Sequence, residues 1–246
     1  MHLLPFIFGT HDSATYFLNS SSKIYNINPI VSDLLQLFGH DHQLVYDWSK
    51  TQVYNISQQV ELGIKYLDLR AIKVDDIWYS CHGLLGDRFD YILQQVPNNI
   101  VIELTTYSIP DINLCNKLKG KLVYMSHDTN HCNNSLDIKL VNNTFANTPH
   151  LETMIQYNKR VVLEHNLNPN QILKLSWTLT PSVFTMIESL YKQPKTLLEL
   201  AQEANDAWTE FVEWMIQGNY KWPNIVIFDF VKQNQSVYTS YDFAIV

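Results

Sequence analysis

Short apolar runs alternate with longer amphipathic ones along most of this chain. The runs at 3–8, 64–72, 77–82, 99–104, 122–125, 138–141, 160–164, 173–179 and 224–230 have strand length and are rich in Leu, Ile, Val and aromatics. Between them, 29–38, 51–62, 88–96, 112–118, 151–157 and 196–217 space their apolar residues three and four apart, as a helix requires. Gly39, Gly63, Pro97, Gly120 and Gly218 stand where several of these helices should stop. In the longest, Trp208, Phe211, Val212 and Met215 form a stripe read as a packing face. Strands alternating with helices predict an α/β fold with a parallel sheet. With about seven or eight strands, a single-domain TIM-type β/α barrel is preferred over an open sheet. No GxGxxG follows a strand and no P-loop is present, so dinucleotide and nucleoside triphosphate sites are not expected.

Composition narrows the partners more than the fold. A chain of 246 residues, 46% hydrophobic, is long enough for one large core. A formal charge of −7 speaks against nucleic-acid binding, because no basic face is visible to release counterions. It equally weakens electrostatic attraction to anionic membranes, so contact with lipid would have to run through apolar loops. No window approaches the roughly 18 apolar residues of a membrane span, and 3–8 is too short and lacks the basic start of a secretory leader. The expectation is a soluble monomer, cytoplasmic or peripheral on a membrane, with secretion left open. Cys81, Cys115 and Cys132 form no CxxC pair; one disulfide among them is possible, but reduced thiols are the simpler reading.

The candidate chemistry lies at strand ends. The run 3–8 delivers His11 into a cluster of small and polar residues, Gly9-Thr10-His11-Asp12-Ser13, where Gly9 lets the chain turn at little steric cost. His82, in Ser80-Cys81-His82-Gly83, has a similar setting. Asp12, Arg70, Glu103, Trp177 and Asp229 also stand at or near C-terminal strand ends, which in a barrel face one mouth. Two imidazoles supply a general base and a general acid, a guanidinium holds phosphoryl oxygens, and a carboxylate beside a histidine fixes its tautomer. Phosphodiester cleavage needs that set. The His127–His131–Cys132 grouping reads instead as a solvated turn, since zinc would need further ligands.

Gly-Thr-His-Asp-Ser at 9–13, Tyr-Leu-Asp-Leu-Arg at 66–70 and Cys-His-Gly at 81–83 resemble the motifs of the phosphatidylinositol-specific phospholipase C X domain. The likeness is greatest to the small X-domain-only proteins, whose core is an irregular TIM barrel. The segments 175–181 and 224–231 are similar to later parts of that group, so the resemblance spans about 5–232. It implies His11 as base, His82 as acid, Asp229 orienting His11, and Asp12 paired with Arg70 at the phosphate. Asp68, Glu103, Thr105 and Trp177 would contact substrate, although Thr105 departs from the charged or amide residue usual there, as Phe8 departs from proline. The implied reaction cleaves phosphatidylinositol, or a related phosphodiester lipid, at a membrane surface to diacylglycerol and a cyclic or hydrolysed inositol phosphate, and no extra membrane module is recognised. Calcium is not expected, because Arg70 stands where the metal-dependent enzymes carry a carboxylate. Two alternatives stay open: a glycerophosphodiesterase-like barrel, which lacks this His-Asp-Ser and Asp-Leu-Arg pattern, and a non-catalytic head-group or protein-binding module.

Overall fold

Parallel pairing of the apolar runs builds most of the molecule. The computed structural model describes residues 6–25, 42–125, 135–136, 141–167, 170–182 and 195–232. The expected helix at 29–38, the loop at 126–134 with its histidines, most of the run at 138–141 and the chain beyond 232 lie outside them. The strands are β1 (Ile7–Thr10), β2 (Tyr66–Val74), β3 (Ile77–His82), β4 (Leu84–Arg88), β5 (Val101–Thr106), β6 (Leu122–Met125), β7 (Ser135–Leu136), β8 (Val141–Thr144), β9 (Ile172–Trp177) and β10 (Ile225–Phe228). Among the described residues they form one ten-stranded sheet in the order β7-β6-β5-β2-β1-β10-β9-β8, and every pairing along that path is parallel. Among the described residues β7 and β8 do not pair, so the sheet curls into an irregular TIM-type barrel without closing. An antiparallel excursion, β3 with β4, hangs off the end of β2.

The helices are α1 (His42–Ser49), α2 (Ile56–Glu61), α3 (Phe89–Gln94), α4 (Ile112–Lys117), α5 (Leu151–Leu167), α6 (Leu197–Asp206) and α7 (Trp208–Gln217). Alternation along the strands separates the two faces. Leu67, Leu69, Ile102, Leu104, Leu175, Trp177, Val226 and Phe228 join the large core beneath the helices, where Phe8, Trp208 and Phe211 also pack. Tyr66, Ile225 and Ile227, with Ile7, Val101 and Ile172, fill the barrel's interior floor. The stripe of Trp208, Phe211, Val212 and Met215 is buried as read.

Several boundaries differ from the sequence reading. Residues 160–164 are not a strand but the middle of α5, whose buried Met154, Ile155, Asn158, Val161, Val162 and His165 keep a helical spacing throughout. A short β-branched run looks alike in both structures, and the longer period decides. The helix at 196–217 breaks at Ala207 into α6 and α7. The helix at 51–62 begins only at Asn55, whose side chain caps α2 in a capping box with Gln58. Residues 42–48, irregular by pattern, form α1. Gly9 is not at a turn: it lies within β1, and a Cβ there would come within 2.9 Å of Ile227 Cγ2 and the Tyr66 backbone. Close approach of Ile227 and Tyr66 on the two flanking strands, rather than turning, requires it. Cys115 is disulfide-bonded, which corrects the reduced-thiol reading for that residue, whereas Cys81 is a free buried thiol.

Candidate active site

Strand register assembles the cluster. Thr10 pairs with Phe228 on one side and with Leu67 on the other, so the next residue, His11, emerges between Asp229 and Asp68. Arg70 and Thr105 are register partners one step further along β2 and β5. The β3–β4 excursion carries His82 back over the same end of the barrel. Asp12 adopts a left-handed φ of 43°, unusual for a residue with a side chain, and its carboxylate lies under both histidines.

His11 Nδ1 lies 2.8 Å from Asp229 Oδ1, and Arg70 Nη2 lies 2.8 Å from His11 Nε2. A guanidinium can only donate, so this pair of contacts fits a neutral imidazole with its proton on Nδ1 and its lone pair on Nε2. His82 Nδ1 donates to the Ser49 carbonyl at 2.7 Å, which turns Nε2 toward Asp12 Oδ2 at 3.0 Å. That contact is favourable only when Nε2 also carries a proton. The two rings stand edge to face with centroids 6.1 Å apart, and His11 Nε2 is 3.3 Å from the same Asp12 oxygen.

Charge pulls the other way. Burial would lower the His11 pKa, but the Asp12 and Asp229 carboxylates raise it to about 9. Burial lowers His82, with Asp12 opposing. Electrostatics thus favours the shared proton on His11, and the hydrogen-bond partners favour it on His82. We assign it from the partners: an imidazolium at His11 would point an N–H at the Arg70 donor 2.8 Å away, so protonating His11 requires Arg70 to withdraw.

Arg70 also carries the carboxylates. Its Nε is 2.5 Å from Asp12 Oδ1 and its Nη2 is 3.4 Å from Asp68 Oδ2. The neighbouring Asp12 and Asp68 outweigh burial and hold the guanidinium well above its usual pKa. Burial would raise Asp68, but Arg70, His11 and Lys174 bring it down to about 2. These charge contacts leave hydrogen-bonding capacity over: Asp68 Oδ1 and Ser80 Oγ are buried without a partner. Asp12, Arg70, Ser80 and His82 line one small cavity with Ala14, Thr15, Leu18 and Cys81. His11, Asp12 and Asp68 bring ligand atoms within 4.8 Å of one another, a grouping of the kind that holds a cation. The guanidinium already lies against all three.

Not every candidate reaches this cluster. Glu103 lies one layer deeper, buried in an ion pair with Lys174 and accepting from the Tyr66 hydroxyl at 3.1 Å. Trp177 points outward, fully buried, its Nε1 donating to the Ala204 carbonyl at 2.7 Å while its ring packs on Trp208 and Phe211. Neither is placed to touch a ligand, which corrects both readings. Thr105 stays at the half-buried rim beside Arg70. Tyr107, not singled out as a site residue, hydrogen-bonds Arg70. Ser49, Thr51 and Gln52 also touch the site, and their small or neutral polar side chains gave no hydropathic signal.

No family model matches the chain. Among curated proteins it is 38% identical over 82 residues to PI-PLC X domain-containing protein 1 of Danio rerio, covering 31% of this chain and 26% of that protein. It is 30% identical over 116 residues to the human PI-PLC X domain-containing protein 2, covering 41% and 38%. The chain resembles the PI-PLC X domain proteins, as its motifs imply. The matches span between 11% and 38% of the length of these X-domain relatives. Among solved structures, the phosphatidylinositol-specific phospholipase C of Listeria monocytogenes superposes with a TM-score of 0.59 at 15% identity, covering 93% of this chain and 89% of that one. The Staphylococcus aureus enzyme gives 0.57 at 13%, covering 91% and 85%. The fold is therefore that of the bacterial enzymes.

Proposed function

We infer that this X-domain-like barrel cleaves phosphatidylinositol, or a related phosphodiester lipid, by acid–base catalysis between His11 and His82. The observation that carries the reading is the opposed wiring of the two imidazoles. One is backed by Asp229 with its lone pair forward; the other is backed by a carbonyl with a proton forward, and Arg70 lies against the first. In the reaction, a hydroxyl vicinal to the phosphate gives its proton to His11 Nε2 and its oxygen bonds to phosphorus. The bond to the diacylglycerol oxygen breaks, and His82 Nε2 protonates that oxygen. Because nucleophile and phosphate belong to one molecule, orientation supplies much of the rate. Arg70 acts in two ways. While it caps Nε2 the base is covered, and a phosphodiester that draws the guanidinium to its own oxygens uncovers it.

A lipid source for the phosphodiester suits the rim. Ile109 and Ile112 are 78% and 71% exposed beside Tyr107. Their loop is tied down: Tyr107 N donates to Ala71 O, Lys73 N to Ser108 Oγ, and Asp111 pairs with Lys73 and caps α4. Two isoleucines held in water by a fixed loop at the mouth are suited to an apolar surface. No metal is assigned a role, since Arg70 carries the positive charge.

The test is release of water-soluble phosphorylated head group from phosphatidylinositol vesicles by the wild type, His11→Ala and His82→Ala. Each variant should lose at least about 10²-fold. Absence of turnover in the wild type, or equal turnover in His11→Ala, would sink the reading. The first outcome would favour the non-catalytic module.

A further inference from the structure

The polar segment between α1 and α2 reaches the backbone on either side of the His11–Asp229 pair. Thr51 and Gln52 are fully buried although nothing in their side chains demands it. Gln52 Nε2 donates to the carbonyls of His11 at 3.1 Å and Phe228 at 2.9 Å, and its Oε1 accepts from Val231 N at 3.3 Å. Thr51 Oγ1 lies 3.0 Å from the His11 carbonyl and 3.1 Å from that of Asp12, while the Thr51 carbonyl accepts from Phe230 N at 2.6 Å. Thr15 Oγ1 in turn accepts from the backbone N–H groups of both.

These bonds fall where the sheet no longer provides any. The ladder between β1 and β10 ends with His11 N donating to Phe228 O. His11 and Asp229 come immediately after, and each is followed by a left-handed residue, Asp12 at φ 43° and Phe230 at φ 47°. Two strand ends turning away into strained backbone have no intrinsic reason to keep their side chains 2.8 Å apart. We propose that Thr51 and Gln52 form a clamp across the ends of β1 and β10, with Gln52 as the positioning residue that keeps His11 in hydrogen-bond register with Asp229. Just ahead of it, Ser49, the last residue of α1, offers its carbonyl to His82, so the stretch 49–52 touches both imidazoles' supports.

The consequence for rate rests on the function inferred above; the consequence for His11 does not. Imidazole nitrogen NMR on the ligand-free protein reads the His11 tautomer directly. The wild type should hold one tautomer with a hydrogen-bonded Nδ1 proton, and Asp229→Asn sets the benchmark for its loss. Gln52→Met, similar in shape but without the amide, should move His11 at least half way to that benchmark and lower kcat between about 10- and 100-fold with a smaller change in KM. Met215→Ala, a core truncation in α7, controls for destabilisation and should leave the His11 signature unchanged. Should Gln52→Met not fold, Thr51→Val removes only the hydroxyl bonds and is expected to shift His11 in the same direction. A folded Gln52→Met, or in its place Thr51→Val, with the wild-type His11 tautomer overturns the proposal. If the wild type cleaves no phosphodiester, the inferred function fails while the NMR comparison still decides the clamp.

Discussion

Two clusters of buried charge lie one above the other inside this barrel, and only the upper one has capacity to spare. In the lower, Lys174 pairs with Glu103, the Tyr66 hydroxyl donates to the same carboxylate, and the ammonium stands 5.8 Å from the Tyr66 ring centre. In the upper, Arg70, three aspartates and two histidines make short contacts yet leave Asp68 Oδ1 and Ser80 Oγ, both buried at the site, without a partner. Asp68 joins them, feeling Arg70 and His11 above and Lys174 below. A closed cluster is an internal part of the fold, and an open one is organised for something that arrives. Charge and burial alone do not separate the two; unused donors and acceptors do.

The largest effect should come from crossing the two clusters. Lys174→Met leaves the Glu103 carboxyl buried without its partner and should cost about 3–5 kcal/mol of stability by urea denaturation, whereas Lys174→Met with Glu103→Leu should recover most of that loss. His82→Ala, in the open cluster, should abolish most turnover while changing the urea midpoint far less. If His82→Ala proves as destabilising as Lys174→Met, the contrast between closed and open clusters collapses.

How much of this was legible beforehand depends on the period each feature follows. Strand–helix alternation gave the barrel because its signal repeats over the whole chain. The ends of β1, β3 and β10 gave His11, Asp12, His82 and Asp229, because a polar residue closing an apolar run is conspicuous, and the alternation of Asp68 and Arg70 within β2 gave the guanidinium. What strand-end position cannot give is layer or face. Glu103 is two residues short of Thr105 on β5 and so one layer down. Trp177 has the opposite parity to Ser176 and turns to the helices. Thr51 and Gln52 were read as the start of a helix, since burial of neutral polar side chains depends wholly on partners from β1 and β10. The 160–164 run failed for want of a longer window.

The second effect is smaller and depends on pH. Asp68 is lowered to about 2, so its contribution is present above the unfolded value and lost as pH falls through 2. Over that acid window, from about 4 to 2, it is worth about 2 kcal/mol. The carboxylates pull His11 toward about 9, but the Arg70 contact at Nε2 holds the resting imidazole neutral, so His11 adds no alkaline loss of stability. The open cluster therefore bounds stability on the acid side. Urea midpoints across pH for the wild type and His11→Gln would check this: the variant should keep much of the acid slope and follow the wild type on the alkaline side. An alkaline slope present in the wild type and lost in His11→Gln would mean that the resting imidazole is protonated and that Arg70 does not cap it.

The smallest expected effect is that of a chelator, and it bears most directly on what the open cluster is open for. His11, Asp12 and Asp68 lie close enough to hold a cation. Yet Arg70 has a nitrogen 2.5 Å from Asp12 and another 3.4 Å from Asp68, and a divalent ion would have to displace it against like charge. With excess chelator, turnover on vesicles should change less than about twofold, and added calcium should not raise the thermal midpoint, since an ion that does not bind the native state cannot stabilise it. A rise in midpoint with calcium would mean that Arg70 yields the carboxylates to a metal. The lone pair of His11 would then be uncovered by the ion rather than by substrate. The comparison of clusters would survive, with its open member waiting for a cation instead of a phosphate.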